Sequence, residues 1–172
     1  MGGDLHATSK LNAGSEFTFH VIVDCFCGED EPRIEKALAD ALSHNYTGFR
    51  LLLVEDNLLN QEIGKAVLAE MGFQVDLADN GEGGVEAFKK QQYDVIFMDI
   101  RMPIMDGLEA TRAIRAIERE SGEPTRIPII AMTANAMPSD REAPRLAGMD
   151  AHASKPLDMD EIRLALYKAL IK

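Results

Sequence analysis

The sequence has little of what marks a secreted, membrane-spanning or nucleic-acid-binding chain. It has two cysteines, Cys25 and Cys27, one residue apart. On a strand they would point to opposite faces, which argues against a mutual disulfide or a metal clip. Reduced thiols in a cytoplasmic protein are the expectation. No apolar run approaches the ~20 residues that span a bilayer. No basic segment followed by an apolar stretch opens the chain, so no secretion signal is read. Lys and Arg number 18 against 29 Asp and Glu, a formal charge of −11. That balance disfavours direct contact with nucleic acid, whose phosphates are met by Lys and Arg. The acids serve solubility, or some of them gather in a cation site, and their spacing must decide.

What is present can fold. Apolar residues make up 46% of 172, enough to bury a core and for one ordinary domain plus extra. Residues 1–27 read as strand material: DLHATSK, a turn at LNAG, then SEFTFHVIVDCF. In the second stretch Phe17, Phe19, Val21 and Val23 alternate with Glu16, Thr18 and His20, a half-buried hairpin pattern. Residues 28–48 form a linker with one helix. Asp30 can cap it, Pro32 suits its first turn, and Ile34, Ala37, Leu38, Ala41 and Leu42 make an amphipathic stripe.

From residue 49 to 172 short apolar runs alternate with helical periods. RLLLVED, FQVDLA, YDVIFMD, RIPIIAMT and DAHASK are strands. Asn57 caps a first helix carrying Leu59, Ile63, Ala66 and Val67, which Gly72 ends. A weaker helix covers 81–91, where Gly83 and Gly84 cost roughly 1 kcal/mol each against Ala. A third helix puts Ala110, Ala113, Ile114 and Ile117 on one face, and the closing helix does the same with Ile162, Ala165, Leu166, Ala169 and Leu170. The helix over 138–147 contains Pro144, which costs ~3 kcal/mol in a regular interior, so it is expected short, kinked or mobile. Five β/α units of this kind predict a doubly wound α/β sandwich around a parallel sheet.

The chemistry-bearing residues follow the apolar strands directly: Glu55 and Asp56 after the first, Asp99 after the third, Thr133 after the fourth and Lys155 after the fifth. Open α/β sheets bind ligands beyond the carboxyl ends of their strands, where strand order reverses. With order 2-1-3-4-5, strands 1, 3, 4 and 5 are neighbours ~4.8 Å apart, and these five residues line one crevice. Three carboxylates so close repel one another as anions, which a divalent cation resolves. Oxygen ligands without His or Cys suit Mg2+, which also binds phosphate oxygens. Asp99 can attack phosphorus to give an aspartyl phosphate, and Lys155 and Thr133 can reach the new oxygens. Asp94, at the start of the third strand, reads as a solvated strand end. GEGG at 81–84 lacks the GK[ST] ending of a phosphate loop.

LLLVEDN, YDVIFMDIRMPIMDG, IIAMTANAM and HASKPLD resemble, in order and spacing, the four signature segments of two-component receiver domains. The resemblance covers residues 49–172 and implies a (βα)5 flavodoxin-like fold. It implies Glu55 and Asp56 as the acidic metal pair, Asp99 as phosphoacceptor and metal ligand, and the Arg101 carbonyl as a further ligand. Thr133 and Lys155 would sense the phosphate, and the Lys155–Pro156 bond would be cis. His152, three residues before Lys155, stands where the family has a switch aromatic. Arg101 and Asn135 stand where the family tunes phosphate lifetime. Leu58 and Leu59 are candidate docking contacts for a partner, unless Leu59 packs in the core.

MGGDLHATSKLNAGSEFTFHVIV is similar to the final hairpin of histidine-kinase ATP-binding domains. Gly2, Gly3, Gly14, Ser15 and the FTF strand carry the likeness, with Asn12 where a glycine is common. Nothing upstream of that hairpin is present, so this stretch cannot bind ATP by the family's route. Hairpin, linker and receiver in this order imply the C-terminal piece of a hybrid histidine kinase. Such a parent chain leaves room for a membrane anchor elsewhere, although this piece does not contact the bilayer. The implied partners are a histidine kinase or a histidine-containing phosphotransfer domain. A lone hairpin exposes its edges, so it is expected to pack on the receiver or to pair two chains as a homodimer. Two alternatives remain at this level. One is a pseudo-receiver that only binds partners and has no affinity for Mg2+. The other is an aspartate-nucleophile phosphatase, which needs a second acid where this chain has Arg101.

Overall fold

The computed structural model describes residues 2–10, 14–22, 45–122, 126–133 and 142–170. The chain divides into two compact units, Met1–Glu35 and Lys36–Lys172. In the first, β1 (Gly2–Lys10) and β2 (Gly14–Ile22) form an antiparallel hairpin in register from Gly2 opposite Ile22 to Lys10 opposite Gly14. The expected LNAG turn, Cys25, Cys27 and the linker helix over Ile34–Leu42 lie outside the described residues.

The second unit alternates strand and helix: β3 (Arg50–Val54), α1 (Leu58–Glu70), β4 (Gln74–Ala78), α2 (Gly81–Lys90), β5 (Val95–Asp99), α3 (Gly107–Ser121), β6 (Ile129–Thr133), α4 (Glu142–Ala147), β7 (Ala151–Ser154) and α5 (Met159–Leu170). All five strands are parallel, in the order β4-β3-β5-β6-β7. Counted from β3 this is 2-1-3-4-5, the expected order. β5 is buried along its whole length, as a strand covered on both faces must be.

Strand alternation divides the core in two. Leu51, Leu53, Phe97, Ile130 and Met132 face Leu68 of α1 and Ile162, Ala165 and Leu166 of α5. Leu52, Val54, Ile96, Met98, Ile129 and Ala131 face Val85 of α2 and Ala110 and Ile114 of α3. The expected apolar face of α3 therefore packs, as does that of α5 through Ile162, Ala165, Leu166 and Ala169, while the side chain of Leu170 lies outside the described residues. Among the described residues no helix is long and apolar enough to cross a membrane.

Three helices owe their placement to glycine or proline. In α1 the buried residues are Gln61, Gly64 and Leu68, whereas Leu59 and Ile63 are exposed; Leu59 is not a core residue. The reason is steric. A Cβ on Gly64 would stand 2.9 Å from Leu53 Cδ2, so the helix rests on the sheet along its glycine, and its bulkier residues turn outward. In α2 Asn80 caps the helix by accepting from the Gly83 amide at 2.8 Å. A Cβ on Gly84 would come within 3.0 Å of Val54 Cγ2. The glycine that weakens this helix locally thus permits its close approach to β3. The described part of α4 begins at Glu142, which puts Pro144 in the first turn, where no intrahelical partner for its missing amide is needed. Residues 134–141 lie outside the described residues, Asn135 among them.

Candidate functional site

The strand register brings the tips together. Val54 of β3 pairs with Met98 of β5, Asp99 with Met132 of β6, and Thr133 with Ser154 of β7. Glu55 and Asp56 follow β3, and Lys155 follows β7 with its amide donating to the Thr133 carbonyl at 2.8 Å. One carboxylate oxygen from each of Glu55, Asp56 and Asp99 lies within 4.8 Å of the others. Glu55 and Asp99 are buried and Asp56 is exposed, so the cluster opens to solvent on the Asp56 side.

Lys155 bridges the buried pair. Its ammonium lies 2.5 Å from Glu55 Oε2 and 2.6 Å from Asp99 Oδ2. The other oxygens of those acids are also held: Asn60 Nδ2 donates to Glu55 Oε1 at 2.8 Å, and the Arg101 amide donates to Asp99 Oδ1 at 3.2 Å. One ammonium thus pairs with two carboxylates of a cluster of three. Among the described residues no imidazole or thiolate belongs to the cluster, and an all-oxygen, strongly acidic donor set suits Mg2+. The Lys155–Pro156 bond is cis, as the resemblance implied.

Residues 51–167 match the response regulator receiver domain. This chain belongs to that family.

The receiver resembles solved structures closely enough to compare. One is the receiver domain of a sensor histidine kinase from Pseudomonas aeruginosa PAO1, with a magnesium ion coordinated in its active-site cleft. It is 42% identical with a TM-score of 0.63, and the match covers 72% of this chain and 98% of that one. Another is the receiver domain of the Saccharomyces cerevisiae response regulator Ssk1, solved with the histidine phosphotransfer protein Ypd1. It is 28% identical with a TM-score of 0.65, and the match covers 72% and 90% of the two chains. Among curated relatives, the aerobic respiration control sensor protein ArcB of Escherichia coli is 32% identical over 171 residues, 98% of this chain and 20% of its own length. The chain spans between 4 and 20% of the length of curated relatives it matches.

Every residue singled out in the receiver apart from Asn135 can be placed. Glu55, Asp56, Asp99 and Lys155 come together, and Thr133 closes β6 beside Lys155. His152 is half-buried in β7, opposite Ala131. Leu58 and Leu59 are 74% and 69% exposed. Asp94 is exposed as expected, but it also accepts from the Arg50 amide at 2.7 Å, closing the start of β3. Sequence reasoning missed Asn60, Gln61 and Gly107. Gln61 is buried, and its Nε2 donates to the Glu55 carbonyl at 2.6 Å and to Asp79 Oδ1 at 2.9 Å. The available signal was an adjacent Asn–Gln pair one turn after the acids, on a helix otherwise read for apolar spacing. Ile104 was also missed: it is 78% exposed at a φ of 71°, while the Met105 amide donates to the Pro103 carbonyl across it.

Proposed function

We propose that this receiver takes a phosphoryl group onto Asp99 from a phosphohistidine of a histidine kinase or phosphotransfer domain, and that the aspartyl phosphate shifts its conformation. The observation that carries the reading is the Lys155 ammonium held between Asp99 and Glu55, within a cluster that also contains Asp56. Asp56 and Asp99, with Glu55 and the Arg101 main-chain carbonyl, are the residues that would hold Mg2+. When bound, the ion would neutralise charge on the transferring phosphoryl oxygens.

Asp99 attacks phosphorus in line. A P–O bond forms to its carboxylate as the P–N bond to the donor imidazole breaks, and the bonding pair returns to that ring. Lys155, already desolvated beside Asp99, supplies an ammonium to the phosphate oxygens without a long excursion. The Thr133 hydroxyl supplies a second donor from the next strand tip. The product adds about −1.5 to −2 charge to the crevice. Thr133 and Lys155 drawn toward that charge bias the loops after β5 and β6 and helix α4, with His152 on β7 as the switch residue. The partner docks over Leu58 and Leu59, which are exposed in the first turn of α1, directly after the acidic pair and Asn57. Arg101 cannot serve as the general acid that a leaving group needs, so the reading is of an acceptor and not of a phosphatase.

Residues 1–27 read as a remnant of a histidine-kinase ATP-binding domain, 28–48 as linker and 49–172 as receiver; matches to hybrid signal transduction histidine kinases of Dictyostelium discoideum over 78–79% of this chain support the hybrid-kinase context. The parent would then be a hybrid histidine kinase working in the cytoplasm. The test is phosphotransfer from a phosphorylated histidine phosphotransfer protein in Mg2+. Label should move to the wild-type chain and not to Asp99→Asn; equal labelling of both chains would refute the reading.

A further inference from the structure

Four polar or charged side chains are buried among the described residues: Glu55, Gln61, Asp99 and Thr111. Glu55 and Asp99 belong to the acidic cluster, and Thr111 donates to the Gly107 carbonyl inside its own helix. Gln61 is left. A buried carboxamide is costly unless its N–H groups are used. Here both are used on residues near the site, on the Glu55 carbonyl at 2.6 Å and Asp79 Oδ1 at 2.9 Å. Its neighbour Asn60 holds the other end of the same residue, donating to Glu55 Oε1 at 2.8 Å.

The carbonyl that Gln61 holds is part of the planar peptide unit joining Glu55 to Asp56. Fixing that oxygen fixes the plane on which the Asp56 Cα is mounted. The Glu55 amide, on the residue's other side, is tied to the Ala78 carbonyl at 3.0 Å. Asp56 is exposed, and among the described residues no hydrogen bond anchors its side chain. Its carboxylate therefore depends on the backbone that carries it. Asn60, in turn, occupies one Glu55 oxygen and leaves the other directed at Lys155. These contacts select the residue type, since at position 61 one nitrogen must donate both to a carbonyl and to a carboxylate. Glu has no such donor, and Met fills the volume with none.

We infer that Asn60 and Gln61 are positioning residues for the acidic pair: Gln61 holds the Glu55–Asp56 peptide and Asn60 holds the Glu55 carboxylate, in the geometry that Mg2+ requires. The inference rests on the proposed metal-dependent site and deepens it. Mg2+ tolerates little departure from octahedral geometry, and groups that orient metal ligands carry about 10–100-fold in affinity.

The experiment titrates Mg2+ alone by calorimetry into the full chain and into Gln61→Met and Asn60→Ala, at a temperature where circular dichroism shows each to be folded. The expected result is a Kd raised about tenfold or more in Gln61→Met and severalfold in Asn60→Ala. A merely structural role would lower the unfolding midpoint of the metal-free variants and leave the Kd of the folded protein unmoved. Unchanged Kd values in the variants, with the wild type binding, would overturn this inference alone. If Gln61→Met does not fold, Asn60→Ala, on an exposed face, decides. Failure of the wild type to bind Mg2+ would overturn the metal site itself and this inference with it.

Discussion

A Cβ carbon on Gly107 would stand 1.9 Å from the main-chain oxygen of Asp99. The first residue of α3 and the last of β5 are therefore in contact through backbone alone, and the Gly107 amide donates to the Ile100 carbonyl at 3.0 Å. The turn between them is also tied to α2, where the Gly81 amide donates to the Met105 carbonyl at 3.1 Å. Gly107→Ala must push the end of β5 away from α3. We predict a loss of about 1–3 kcal/mol or more in urea unfolding, the range for overpacking a filled site. Phosphate acceptance should fall with it because Asp99 moves relative to Lys155. An alanine variant with wild-type stability and labelling would show that this contact is not needed.

Among the described residues, Lys155 is the cation that pairs with both buried acids. Its side chain is 18% exposed, and those of Glu55 and Asp99 are 2% and 10% exposed. Lys155→Met leaves two buried carboxylates without their counter-charge, which should cost the metal-free protein about 3–5 kcal/mol. The same change removes a competing positive charge, so Mg2+ should bind the variant about fivefold more tightly or better. Unfolding in urea with and without Mg2+ checks both statements. The ion should stabilise the variant by more than it stabilises the wild type, and equal increments would count against the arrangement.

Arg115 holds α3 to the loops before β6 and β7. Its Nη1 reaches Glu118 Oε2 at 2.7 Å and the Ile127 carbonyl at 2.9 Å, its Nη2 reaches Asp150 Oδ2 at 2.8 Å, and its Nε reaches the Gly148 carbonyl at 3.0 Å. Burial pushes its pKa down, against the opposing hydrogen bond and charge of Glu118. Arg115→Met should destabilise the domain by about 2–3 kcal/mol, because Glu118 and Asp150 lose their buried guanidinium while Asp150 keeps Arg126 at 3.3 Å and Glu118 keeps the Ile127 amide at 2.7 Å. Calorimetric melting checks this, and a loss under about 1 kcal/mol would mean the network is replaceable.

Tyr46 gives the domain an alkaline limit. Its ring stacks on Phe73 at 4.5 Å with an interplanar angle of 14°, and it is buried. Burial raises its pKa, partly offset by the charge of Arg163. Above about pH 10 the unfolded chain loses the phenolic proton while the folded chain keeps it. The folded state then binds more protons, so stability falls as pH rises until the folded pKa is passed. Denaturant midpoints above about pH 9 should decline in the wild type and decline less steeply in Tyr46→Phe.

Much of the receiver was legible because its signals are periodic and its acids sit at strand ends. β5 and β6 read as buried strands because VIFMD and IIAMT have no polar residue before their last position. The five strand-tip residues could be named because register carries each tip to the same edge. The face of α1 could not be read, because apolar spacing pointed to Leu59 and Ile63 while the contact was made by Gly64 and Gln61. A glycine contributes nothing to an apolar stripe, and a buried glutamine subtracts from it. Gly84 misled for a related reason: its cost is local to α2, but its benefit is the approach to Val54, which no local pattern contains. The linker stripe Ile34–Leu42 and the alternation in SEFTFHVIV fall where the structure describes no side chains except that of Thr18.

Asp99 itself should carry the phosphoryl group. Acyl phosphates are reduced by borohydride, and an aspartyl phosphate becomes homoserine. The chain is loaded from a phosphohistidine donor in Mg2+, reduced, digested and sequenced by mass spectrometry. Homoserine at position 99 alone, absent when Mg2+ is chelated, is the result predicted here. Loading without homoserine at position 99, or homoserine at another aspartate, would contradict it.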